Sequence, residues 1–468
     1  MLCIACAQPA RTTHRHAALP SASPAPCITS SKPTMSKTAS PPLRNADHVA
    51  LIAVIVLLGL NLRPVLASVG PVLDQIQAAT GLGHTGAGML TTLPVLAMGL
   101  GALAGSRLYA ALGTVSGIRT GIVLIALACA ARAWASDAVG LILTALAAGI
   151  GIACVQTLLP AFIRERFGDG ASRAMGIYST AIMGGAAVAA AATPWLAAHD
   201  NWPHALAWWG LPAAIAAAVW WRMLPARKGE RAEGGHAEEH AQGERAGGHD
   251  DVQNDGRKGT NTNTSANARV APAPTPATPS QAPAIPPTRS WLLMIFFGLG
   301  TAAYTLVLAW LPPFYTALGW TSAQSGLLLG GVTLMEVIAG LLVSALIGRF
   351  PDRRPALAAV LLALLLGLGG LLLAPVQLAI PACALLGLGI GGLFPLSLIV
   401  TLDHAPDPAQ AGRLLGFVQG GGYLIASAMP LAAGAIRSAL GQLDYAWMLM
   451  AGGTLVLLAM AMRLKPLK

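Results

Sequence analysis

This chain is short of charge. Only 10% of its 468 residues are Asp, Glu, Lys or Arg, where a soluble domain carries about a quarter. That shortage excludes an ordinary solvated surface. Chemical machinery is scarce too. No Walker-type phosphate loop is present, which argues against a primary pump. The apolar stretches hold no His pair at ligand spacing and no nucleophile elbow, so an enzyme, a resident metal and a cofactor are not expected. Cysteine is rare, with six residues. Cys129, Cys154 and Cys383 sit in apolar runs, where a thiol acts as a small hydrophobe. Cys3-x-x-Cys6 lacks the second ligand pair of a metal site.

What the chain has in abundance is apolar length. It is 55% hydrophobic, with a mean hydropathy of +0.62. The long apolar stretches approach the roughly 20 residues that cross about 30 Å of hydrocarbon. The pattern predicts an all-α membrane protein with twelve spans, near 48–69, 86–107, 115–134, 138–162, 174–196, 204–223, 291–315, 324–347, 356–374, 378–401, 414–435 and 445–463. Residues 1–47 read as a disordered tail, and 1–46 contain no Asp or Glu. An acid-poor, Arg- and Ser-bearing start also fits a transit peptide; the plainer reading is a tail, or a natural beginning at Met35. A first six-helix bundle covers 48–224. Residues 225–289, a charged and then Pro/Ala-rich stretch, form a disordered linker whose scattered His are solvated. A second bundle covers 290–464, and 465–468 form a C-terminal tail.

The net charge of +10 would suggest nucleic acid in a soluble protein. Here it comes from the loops. Of 29 Lys and Arg, 26 fall in the tails and in alternate loops, only Arg132 and Arg437 fall in the others, and Arg63 lies within a span. Positive residues collect on the cytoplasmic side. Both termini are therefore expected in the cytoplasm of a multi-pass protein of the cell inner (plasma) membrane. Its partners are the lipid bilayer, a small-molecule substrate and protons, with no nucleic acid and a monomer as the working unit.

The halves repeat. "AGIGIA" (148–153) corresponds to "LGLGIG" (386–391), "RAMGIYS" (173–179) to "RLLGFVQ" (413–419), and "GMLTTLPVLAM" (88–98) to "GLLLGGVTLME" (326–336). Two similar halves in one orientation, joined by a linker, follow the parallel-repeat plan of facilitator-type transporters.

Two side chains stand out against that apolar background. Arg63 lies fifteen residues after His48, about 22 Å along a helix axis. Asn61 and Pro64 flank it, and Pro64 frees a backbone carbonyl. Polar groups and helix breaks at such depth are tolerated beside a water-filled cavity. Arg63 thus reads as an anion-recognising group with forked donors; the competing reading has it snorkel to the surface. Glu336 lies twelve residues from both Gln324 and Gly348, about 18 Å from either surface. Its repeat counterpart is Met98, so only one half carries the charge. A carboxyl group at that depth suits proton exchange; the competing reading is a structural Glu between helices. If both face the cavity, Arg63 and Glu336 are expected to pair when it is empty. Gln156, Tyr178, Tyr304, Trp310, Gln419 and Tyr423 complete a substrate-binding set, although Trp310 also reads as a membrane-belt residue. Arg107, Arg349, Asp352, Arg353 and Arg354 sit in two loops on the positive side. They read as topology anchors or as a gate clamping the halves together.

At these residues the chain resembles the cyanate/nitroimidazole permease (CynX/NimT) family of the major facilitator superfamily. The resemblance runs from about 55 to 464 apart from the linker, on "LNLRPVLASVGPVL", "TLLPAFIRERF", "MGIYSTAIMGGA", "YTLVLAWLPPFY", "GLGIGGLFPLSL" and "GFVQGGGYLIASAMPL". It implies a secondary transporter moving a small solute, a small anion such as cyanate or a nitroimidazole-like compound, by proton-linked alternating access. Asn61, Arg63, Pro64, Tyr304, Trp310, Gln419 and Tyr423 fall on recurring family positions. Gln156 stands where relatives tend to have Asn, Gly300 where they tend to have Gln, and the loop after the second span lacks the usual Asp. An exporter of neutral or cationic organic molecules is the alternative.

Overall fold

The structure, a computed structural model, describes residues 45–135, 137–224, 286–346, 349, 352–405 and 408–464. Most of the expected N-terminal tail and linker, and the C-terminal tail 465–468, lie outside the described residues. Where the described residues reach them, Asn45 opens the first helix and Pro287 opens the first helix of the second half.

The first half runs α1 (Asn45–Leu60), α2 (Pro64–Ala67), α3 (Leu73–Thr80), α4 (His84–Leu103), α5 (Gly105–Leu112), α6 (Thr114–Ala131), α7 (Ala138–Phe167), α8 (Ala171–His199), α9 (Trp202–Ala207) and α10 (Gly210–Met223). The second runs α11 (Pro287–Ala317), α12 (Ser322–Leu346), α13 (Arg354–Leu373), α14 (Ala379–Asp403), α15 (Pro408–Leu440) and α16 (Asp444–Arg463). Among the described residues, eleven helices are long and apolar enough to cross a membrane. The sixth expected span is present as α9 and α10, interrupted at Trp208–Trp209, and each piece alone is too short to count.

Helices dominate because hydrocarbon offers backbone N–H and C=O groups no water, so each must be satisfied within the protein. Prolines inside the spans violate that rule locally, and neighbouring helices close on the freed carbonyls, at Pro430 with a hydroxyl donor. A proline frees the carbonyl four residues earlier. Pro430 frees Ala426 O, which accepts from Thr305 Oγ1 at 3.0 Å. Pro194 frees Ala190 O, and Gly326 of α12 lets the two backbones meet there. Pro64 frees Leu60 O, and α8 comes against it at Gly185, where any Cβ would collide with that oxygen.

The sequence repeat is repeated packing. Gly149 of α7 lies against Pro94 of α4, and its counterpart Gly387 of α14 lies against Val332 of α12, the position matching Pro94. Gly151 packs on α6 at Gly121, and Gly389 packs on α13 at Leu364. Two pseudo-symmetric six-helix bundles follow.

The bundles meet along two seams. At the first, α4 and α15 touch over most of their length: Gly88 against Pro430, Thr92 Oγ1 donating to Ser427 O at 2.7 Å, and Gly99 against Gly420. At the second, α8 and α12 touch near Ala190 and Gly326 and near Ala187 and Gly330. They part toward the other end, where Gly176, Ser179, Leu341 and Ser344 are exposed. The end carrying Arg437 is closed across the bundles. Thr316 donates to Asp74, Thr85 and Ser438 hydroxyls lie 3.3 Å apart, and Gly434 packs on the His84 carbonyl.

Gly185→Leu should therefore overpack the α1–α8 contact, at a cost of about 1–3 kcal/mol. It is expected to lower the thermal midpoint in detergent. Gly176→Ala, with nothing within 4 Å of the added carbon, should leave the midpoint unchanged or raise it.

Candidate functional site

The chain leaves helical geometry at residues 61–63, between α1 and α2. Asn61 and Leu62 N–H groups close the end of α1 on Leu58 O and Gly59 O, both at 3.1 Å. The Asn61 side chain donates to Leu57 O at 2.7 Å. Pro64 then restarts the helix as α2. Between these two events the Arg63 side chain is sent inward, 5% exposed.

It enters a central cavity of about 440 Å³ between the bundles, within the usual range for small-molecule sites. The lining combines Arg63, Met98, Gln156 and Tyr178 of the first half with Tyr304, Glu336, Gln419 and Tyr423 of the second. The cavity occupies the half of the molecule toward Arg353. Its mouth is the parted α8–α12 seam, lined by Gly176, Thr180, Gly340, Leu341 and Ser344.

Arg63 is held by weak contacts. Its Cζ stands 5.3 Å from the centre of the Tyr304 ring, and Nη1 points at Met98 Sδ at 3.9 Å. Its Nε has no partner. Glu336 is 4% exposed, and its Oε2 also lacks a partner. Gly391 of α14 packs directly on the Glu336 backbone, where a Cβ would collide, so that stretch of α12 is tightly seated. The expected direct pairing of Arg63 with Glu336 is corrected: no ion pair joins them, and they interact through space, as Arg63 does with Tyr304, Tyr423 and Tyr178. The Tyr178 and Tyr304 hydroxyls and Gln156 Oε1 are unpartnered as well. Gln156 Nε2 donates to the Tyr423 hydroxyl at 2.9 Å, a hydrogen bond that crosses the bundles. Unsatisfied buried polar atoms are few in a folded protein and call for a reason. Here five of them belong to residues of one cavity.

Two residues of the sequence-derived set lie elsewhere. Asn61 finishes α1, its amide spent on the Leu57 carbonyl. Trp310 is fully buried, and its indole N–H donates to Pro430 O at 2.9 Å. Its ring lies 6.4 Å from His84 and 5.7 Å from the Arg437 guanidinium, at the closed end. A belt position is excluded along with a cavity position. The gate residues are also placed apart. Arg107 is exposed on α5. Arg353 Nε donates to Asp403 Oδ2 at 3.1 Å, a contact within the second bundle, and Asp352 accepts from the Arg354 N–H at the start of α13 at 3.0 Å. Sequence reasoning did not single out Phe297 and Phe394, which wall the cavity 5.6 Å apart. Nothing in their local pattern distinguishes them from packing. Met98 was visible as the repeat counterpart of Glu336, and the cavity brings both together.

Two pseudo-symmetric helical bundles closed at one end around a polar-tipped cavity define a membrane carrier. The family model for the Major Facilitator Superfamily matches residues 49–412. The cyanate transport protein CynX of Escherichia coli (strain K12) is 35% identical over 419 residues, covering 89% of this chain and 98% of that protein. The 2-nitroimidazole transporter of the same organism is 27% identical, covering 86% and 92%. In fold, the chain is similar to a D-xylose-proton symporter, with a TM-score of 0.66 at 12% identity and coverage of 88% and 97%. The chain belongs to the cyanate/nitroimidazole permease family of the major facilitator superfamily. It is a multi-pass membrane transporter for a small molecule.

Single cysteines placed in a background lacking the six native ones test the cavity. Gln419→Cys and Thr180→Cys should react with a hydrophilic maleimide within minutes, whereas Asn61→Cys and Trp310→Cys should stay unlabelled. Mass spectrometry of the intact protein reads the difference.

Proposed function

We propose that this transporter moves a small solute bearing negative charge or a strongly dipolar acceptor group, such as cyanate or a nitroimidazole-like compound. It does so across the inner membrane by alternating access coupled to protons. The observation that carries this reading is that one cavity holds a buried guanidinium whose Nε is unsatisfied together with a buried carboxyl group whose Oε2 is unsatisfied. Arg63 is the recognition group, because a guanidinium offers parallel donors to a carboxylate-like or nitro-like pair of acceptors. The Tyr178, Tyr304 and Tyr423 hydroxyls and the Gln156 and Gln419 amides orient the bound solute. Glu336 carries the proton. When it is protonated, its electrostatic hold on Arg63 is released, and the arginine is free for the anion. The one-sided distribution of Lys and Arg supports both termini, and the mouth of the cavity, on the cytoplasmic side.

A second reading, export of neutral or cationic organic molecules, is favoured by the cavity's volume and by the aromatic wall of Phe297, Phe394 and Tyr423. In that case Glu336 alone carries charge recognition.

Uptake into proteoliposomes, with and without a pH gradient, separates the two. On the first reading Arg63→Ala abolishes cyanate or nitroimidazole flux, and Glu336→Gln leaves flux that no longer responds to the gradient. Normal flux through Arg63→Ala, with organic-cation export lost in Glu336→Gln, would establish the second reading instead.

A further inference from the structure

Arg132 closes α6 as its C-terminal cap residue. By sequence it counts as a loop charge, yet it is 1% exposed. Among the described residues, no ion pair reaches it. A cation hidden in this way without a counter-charge is costly, so its one side-chain hydrogen bond among the described residues is informative. Nη1 donates to the Val65 carbonyl at 3.2 Å.

That carbonyl is an orphan of the Arg63 break. In a continuous helix the Val69 N–H would bond Val65 O. Here it turns instead to Leu66 O at 3.4 Å, while the Ser68 N–H reaches Pro64 O at 3.0 Å. The last carbonyls of a four-residue helix have no intrahelical partners, and at membrane depth they cannot turn to water. Arg132, sixty-seven residues away in sequence, meets one of them. On the other side of the same segment, Gly185 lets α8 seat against the Leu60 carbonyl freed by Pro64. The turn that presents Arg63 is thus held from two neighbouring helices, one by shape and one by a charged donor.

We propose that Arg132 is a positioning residue for the substrate site: it fixes α2 through the Val65 carbonyl and so sets the direction in which Arg63 projects into the cavity. This inference rests on Arg63 being the recognition group. It concerns binding affinity, since Arg132 does not line the cavity. An Arg63 free to sample several directions would bind the same solute less tightly, while a solute once bound would be carried at the same rate.

The test uses the full chain with Arg132→Met and Arg132→Lys, read by two methods. In proteoliposome uptake, Arg132→Met should raise KM for the transported anion about tenfold, in line with losing a hydrogen bond to a charged group. Its maximal rate per folded transporter should stay within about twofold. In hydrogen exchange, the amides of residues 62–69 should exchange faster in Arg132→Met than in wild type, and Arg132→Lys, which keeps a charged donor, should return both readouts toward wild type. Unchanged exchange over 62–69, or a lowered thermal midpoint with KM unchanged, would overturn the proposal. Should Arg132→Met not fold, Arg132→Gln and Arg132→Asn decide: the shorter Asn cannot reach Val65 and must exchange faster than Gln, and equal exchange overturns the idea. Because exchange needs no substrate, it reads Arg132 even if Arg63→Ala transports normally, an outcome that would sink the anion reading alone.

Discussion

A backbone carbonyl in hydrocarbon must find a donor or a close neighbour, and the architecture around residues 60–69 follows from that need. Pro64 and the turn before it remove the self-sufficiency that makes helices suitable for membranes. In exchange, the chain gains one side chain that points across a bundle instead of along its surface. Asn61 finishes α1, Gly185 admits α8 to the freed Leu60 oxygen, and Arg132 takes the Val65 oxygen. The same solution recurs at Pro194, beside Gly326, and at Pro430, where Thr305 supplies a hydroxyl. Two of these breaks, at Pro194 and Pro430, lie on the seams between bundles. There, small residues allow backbones to approach closely and a single hydroxyl completes the bonding.

The duplicated plan supplies the scaffold, and departures from it supply the chemistry. Gly149 and Gly387 do the same packing in the two halves. The positions facing the cavity from α4 and α12 differ completely, Met98 in one and Glu336 in the other. A thioether beside a guanidinium is soft and poorly bonding, whereas on the proposed reading the carboxyl group opposite it exchanges a proton. An exactly symmetric site would have had two acids or none, and could not have set one fixed positive group against one titratable negative one.

Much of this was readable in the sequence because burial depth is written along a helix. Counting residues from the ends of a span places Arg63 and Glu336 far from either surface, and both do reach the cavity. Counting does not give the direction a side chain takes around the helix axis. Trp310 lies on α11 with Tyr304 but turns to the seam at Pro430. Asn61 sits two residues from Arg63 yet spends its amide within its own helix. The sixth span illustrates another limit. Its apolar content is continuous, so span counting passes over the Gly210 and Pro212 that follow the interruption at Trp208–Trp209, although Pro212 frees the Trp208 carbonyl. Arg132 was hidden for a different reason, since a charge between two spans is naturally read as solvated. Only the path of α2 shows that an oxygen waits for it.

Closure of the cavity is where these features meet. At the Arg437 end the bundles already touch through hydroxyls, a carbonyl and Asp74. Toward Arg353 the α8–α12 seam is open, so water can reach the site. Shutting that seam over an empty cavity would strip water from Arg63 and Glu336 while they remain unpaired, a penalty of several kcal/mol per ion. Their backbones cannot readily approach, because the Glu336 segment is wedged against Gly391 while the Arg63 segment is held at Gly185 and Val65. On the proposed reading, rigid seating of both groups is therefore what enforces coupling. The seam can close cheaply only with an anion on the guanidinium and a proton on the carboxyl group, and a carrier whose two charged groups could simply collapse onto each other would cycle empty.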